Sequence, residues 1–79
     1  MRTTNFDLFV SELTDQYTTL FAMPQYARAA SLSTPQELSI RMAKGLLEGS
    51  ADKDGEGVKQ VCKKLNIPCT YKGIKAYLQ

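Results

Sequence analysis

Histidine and tryptophan are absent from this chain, and cysteine occurs only at Cys62 and Cys69. Without an imidazole, the commonest general base and metal ligand is missing, so a hydrolase would need a Ser-Lys pair or paired carboxylates. The acids, Asp7, Glu12, Asp15, Glu37, Glu48, Asp52, Asp54 and Glu56, are instead scattered over polar faces. Two thiols fall short of the four soft ligands of a closed structural zinc site. No catalytic, cofactor-binding or metal-ligating set is expected. Long apolar runs are missing too, since nothing approaches the roughly 18 to 20 residues that span a bilayer. The opening Met1-Arg2-Thr3-Thr4-Asn5 lacks the apolar core and cleavage site of a secretory signal, so a cytoplasmic location is expected.

Acids run out early. Residues 59 to 79 contain none but carry Lys59, Lys63, Lys64, Lys72 and Lys75, whereas residues 1 to 58 hold eight acidic and five basic side chains. The formal charge of +2 therefore conceals a dipolar molecule that can turn a basic face to an anionic partner.

What is present is helix periodicity. With 79 residues, 43% apolar and 23% charged, the chain has the composition of one folding domain, residues 1 to 79, whose small core would gain from self-association as a homodimer. Phe6, Phe9, Val10, Leu13, Tyr17, Leu20 and Phe21 recur at three- and four-residue spacings, predicting a helix from about residue 5 to 21, with Thr4 and Asp7 able to cap it. Pro24 stops or restarts the helix, and residues 25 to 30 predict a short second one. Thr34, Pro35 and Glu37 form a capping-box signature for a helix running to Glu48, stopped at Gly49 and burying Leu38, Met42, Leu46 and Leu47. After a polar connector at about 49 to 57, Val58, Val61, Cys62 and Leu65 stripe a further helix that Pro68 breaks. Thr70 can cap the last, with Tyr71, Ile74 and Leu78 on its inner side. No stretch alternates as a strand does. The fold class expected is all-α, a small bundle of four to five short helices.

The connector Asp52-Lys53-Asp54-Gly55-Glu56-Gly57 puts acids at positions one, three and five of a calcium loop and glycine at six. Position eight is Lys59 and position twelve Lys63, where the bidentate glutamate belongs, so a capped turn with Asp54 accepting amides at the next helix start is expected instead. Gly55 and Gly57 lack the preceding strand and the Gly-Lys-Ser/Thr ending of a phosphate loop. Cys62, on an apolar stripe, reads as a buried, inert thiol. Cys69 lies near a helix start among lysines, but no Cys-x-x-Cys partner or general base accompanies it.

The segment from Val58 to Leu65, a turn at 66 to 69 and Thr70 to Leu78 has the dimensions of a helix-turn-helix, with Lys72 and Lys75 on the second helix and Lys59, Lys63 and Lys64 for phosphates. Its apolar spacing departs from that motif: Lys72 stands five residues after Ile67, where the apolar anchor belongs. Gly73 falls inside the supposed reading helix, and no arginine, asparagine or glutamine lies between Thr70 and Leu78 for bidentate base contacts.

Through Ser50 to Gly55, Cys62 to Ile67 and Thr70 to Leu78, the chain resembles short uncharacterised all-helical bacterial and bacteriophage proteins with a lysine-rich, helix-turn-helix-like C-terminal segment. The likeness covers roughly residues 34 to 78, and Asn66 replaces the glycine usual before the turn isoleucine. It implies a compact product of a phage or other mobile element, and such products often sheathe a host nucleic-acid-handling complex, as anti-CRISPR proteins do. The expected function is a non-enzymatic accessory factor or inhibitor that binds a host protein or nucleoprotein complex. Its expected partner-binding residues are Lys59, Lys63, Lys64, Lys72, Lys75 and Tyr77. The alternatives are a module that binds DNA or RNA through the basic helices, and a structural or interaction protein without nucleic-acid contact. Tyr26 and Tyr77 are expected either at an interface or over the edge of the core.

Overall fold

A computed structural model describes residues 3–79. Thr4 begins the first helix, α1 (Asn5–Phe21), with a reciprocal box: its Oγ1 accepts from the Asp7 amide at 3.1 Å and its own amide donates to Asp7 Oδ2 at 3.4 Å. Pro24 then opens a single 3-10 turn, Pro24–Tyr26, leading into α2 (Ala27–Leu32), none of whose residues is buried. The Thr34–Glu37 box forms as expected and starts α3 (Pro35–Glu48). Gly49 ends α3 at φ 78°, a left-handed conformation that a Cβ would disfavour, and the amides of Gly49 and Ser50 return to the carbonyls of Leu46 and Gly45.

A connector without regular structure leads to α4 (Val58–Lys64), and Thr70 caps α5 (Tyr71–Leu78) by accepting from the Gly73 amide at 3.0 Å. Pro68 is not what stops α4. The helix has already closed at Asn66, φ 58°, where the amides of Asn66 and Ile67 turn back to the carbonyls of Lys63 and Cys62. Asparagine there takes the left-handed backbone that glycine usually supplies. Nor does Asp54 cap α4: Gly57 is the N-cap and no side chain bonds the exposed amides.

The result is an all-α fold around one core, with no strand among the described residues. Helix α1 is its spine, packed most extensively on α3 and also on α4 and α5, while α5 rests on α3 as well. Phe9, Leu13 and Tyr17 of α1 meet Leu46 of α3, Val58, Val61 and Cys62 of α4, and Ile74 and Leu78 of α5. The deepest line of α3 is Ser39, Ala43 and Leu46, whereas Leu38, Met42 and Leu47, expected to be buried, lie at the core's margin. Small side chains in the deepest line let neighbouring helices approach closely, and the larger ones fill the flanks. Ser39 is tolerated there because its hydroxyl donates to the Pro35 carbonyl at 2.7 Å.

Candidate interaction surface

All five lysines of the C-terminal segment are exposed, but their surroundings differ. Lys64 Nζ lies 2.7 Å from Glu12 Oε2 on α1, and that close contact holds the lysine pKa above its ordinary value. The carboxylate oxygen is withdrawn from solvent, and this ion pair joins α4 to the spine. Lys59 lines an open cleft of about 460 Å³ together with Gln16, Leu20, Asp54, Glu56 and Gln60, and thus shares its surface with two acids. On α5, Lys72 and Lys75 are one turn apart, and neither forms an ion pair among the described residues; the same holds for Lys63 on α4. Ile74 and Leu78 anchor the opposite side of α5, which fixes where its two ammonium groups project. Tyr77 is half-buried and packs at the margin of the core.

Helices α4 and α5 dock separately on α1, and their direct contact with each other is slight. Residues 65–70 join them, a longer link than the three or four residues of a helix-turn-helix turn. Gly73 is in the first turn of α5, not its middle, and a Cβ there would stand 2.8 Å from the Pro68 carbonyl oxygen and 3.0 Å from Pro68 Cβ. Glycine is therefore required for the turn to lie against the start of α5.

Tyr71 differs most from expectation. It is 40% exposed, and its ring leaves the core side to cover the connector. Its hydroxyl donates to the Ala51 carbonyl at 2.9 Å, and Lys53 Nζ stands 6.0 Å from the ring centre. The Cys69 thiol donates to the Lys53 carbonyl at 3.4 Å, and Tyr26, from the turn before α2, donates its hydroxyl to the Glu56 carboxylate. That bond is the first cause raising the Tyr26 pKa. These clips answer a need that the sequence does signal: a connector without ladder partners must find polar groups elsewhere. Which hydroxyls would reach it depends on packing.

The connector's acids point to separate partners. Asp52 Oδ1 accepts from the Asp54 amide at 2.9 Å, Asp54 pairs with Lys53 at 3.0 Å, and Glu56 takes Tyr26. No group of three or more residues able to hold a metal ion occurs among the described residues. No helix there is long and apolar enough to cross a membrane. Cys62 is buried, and burial followed by the neighbouring Cys69 pushes its thiol pKa up to about 11. No family model, curated protein or solved structure matches the chain.

Proposed function

We propose that this is a non-enzymatic binding protein, of the accessory or inhibitor kind carried by phages and mobile elements, that uses the outer face of α5 to engage an acidic patch on a host protein or nucleoprotein complex. The observation that carries this reading is the pair Lys72 and Lys75, exposed, without ion-pair partners among the described residues and set on a helix that buries Ile74 and Leu78. Lys63 is a further exposed lysine on α4, and the half-buried Tyr77 on α5 adds a partly apolar side chain.

A protein patch suits this arrangement better than a duplex. A phosphate backbone rewards a long uninterrupted cationic track, whereas here Glu12 occupies Lys64 and Asp54 and Glu56 flank Lys59. One feature favours the nucleic-acid reading as second choice: the Thr70-capped start of α5 carries Lys72 in its first turn, a setting suited to phosphate. Fluorescence anisotropy with a random duplex of about 20 base pairs, and with the matching single strand, separates the two readings. The protein reading expects no binding at about 150 mM salt. Micromolar binding that weakens steeply with salt, and whose salt slope falls on alanine substitution of Lys72 or Lys75, would replace it with the nucleic-acid reading.

A further inference from the structure

Residues 22–32 form an arm that contributes nothing to the core. They run from the end of α1 through the 3-10 turn and α2, and every one is exposed except the half-buried Tyr26. Met23 is 39% and Leu32 77% exposed, and Ala27, Ala29 and Ala30 add small apolar side chains between them. A helix of six residues is too short to persist on its own, and α2 touches mainly the turn before it and α1. Apolar surface left in water in this way gains free energy when something covers it.

The charges beside the arm show what fits. Arg28 is its one charged residue and forms no ion pair among the described residues. Glu56 of the connector is exposed, is held to the arm by the Tyr26 hydroxyl, and likewise meets no cation within ion-pair distance there. One unpaired charge of each sign on a single surface is self-complementary, because a twofold axis brings the cation of each chain to the anion of the other. An anionic membrane, or a partner charged with one sign throughout, would meet one of the two with its own sign.

We propose that the arm is the contact surface of a twofold-symmetric homodimer, in which the apolar side chains of two arms cover each other and Arg28 of each chain pairs with Glu56 of the other. The apolar contact supplies the affinity, since an exposed ion pair contributes little by itself, and the charges set the register. Lys72 and Lys75 take no part, so dimerisation and the role given to α5 can fail separately.

Sedimentation equilibrium of the full chain from about 1 to 500 µM should show monomer passing to dimer and no higher species, because an isologous contact closes on itself. Leu32→Gln, at a site too exposed to matter to folding, should raise the dissociation constant about tenfold or more, since each substitution counts twice in the dimer. Arg28→Glu and Glu56→Lys should each weaken association by about as much. An equimolar mixture of those two variants should form a heterodimer about as tight as the wild-type dimer, because both cross-chain pairs are then of opposite sign. Circular dichroism checks the fold of each variant. A wild-type chain that stays monomeric throughout, a dimer indifferent to Leu32→Gln, or a mixture no tighter than its two components would overturn the proposal. So would binding of a monomeric chain to phosphatidylserine vesicles that Leu32→Gln abolishes, which would give the arm to a lipid surface instead.

Discussion

The α1–α3 half and the α4–α5 half are built in different ways. In the first half α1 and α3, the two long helices on either side of the short α2, are each started by a complete capping box and share the most extensive helix pairing among the described residues. Helices of the second half are only 7 and 8 residues long, too short to persist alone. They depend on a left-handed asparagine, a glycine in contact with Pro68 and docking onto α1. Charge divides similarly, with every acid before residue 58 and an excess of lysine after it. The more locally determined half provides the platform, and the more dependent half carries the surface assigned to binding.

The largest effect should come from the platform. Phe9 is fully buried on α1, and Phe9→Ala should cost about 3–5 kcal/mol. A domain of this length commonly holds only about 4–12 kcal/mol in total. Urea unfolding followed by circular dichroism should show loss of both halves together, and survival of α4–α5 alone would show that the second half does not depend on the first.

Alkaline titration separates the halves by where each begins to lose stability. Burial raises the Tyr17 pKa on α1 from 10.0 to about 12, and the Cys62 pKa on α4 from 9.0 to about 11. Below the ordinary values both groups are protonated in the folded and unfolded states, so neither affects stability at neutral pH. Above them the unfolded chain ionises first and stability falls. For Tyr17 the loss reaches roughly 2–3 kcal/mol as pH rises from 10 to 12. Cys62→Ser should delay the onset from about pH 9 to about pH 10. Tyr17→Phe should flatten the later part of the curve. Identical curves for the wild type and both variants would contradict this assignment.

Gly73→Ala should cost about 1–3 kcal/mol by overpacking against Pro68. Hydrogen exchange should accelerate between Asn66 and Leu78 while the centre of α1 stays protected. Equal acceleration in both halves would show that they open as one unit. Smaller still, Asn66→Ala should cost about 1–2 kcal/mol for the left-handed backbone, and Asn66→Gly should cost nothing or stabilise slightly. Thermal denaturation of the two variants provides the check.

Local signals were legible in the sequence. Thr4, Thr34, Pro35, Gly49 and Thr70 set helix ends through bonds within a few residues, and each does so in the structure. Features that depend on a neighbouring element were not. The choice of Ser39 and Ala43 over Leu38 and Met42 as the deepest positions of α3 reflects close helix packing, not hydrophobicity. Tyr71 lies at a helical position suited to the core, but the connector offers its hydroxyl an acceptor at Ala51. The cationic surface was half legible: lysines could be counted along the chain, but Glu12 lies far away in sequence, and only folding brings it to Lys64.

Lys64 is held by Glu12 whereas Lys72 and Lys75 have no ion-pair partner among the described residues, and one measurement tests whether binding follows that division. Folded wild-type, Lys64→Ala and Lys72→Ala/Lys75→Ala proteins are immobilised at equal density, and nuclease-treated bacterial lysate is passed over each to test the proposed host-protein binding, with retained proteins quantified by mass spectrometry. Wild type and Lys64→Ala should retain the same partner equally, and the double variant should retain about tenfold less or lower. Equal retention by the double variant, or a greater loss with Lys64→Ala, would contradict it.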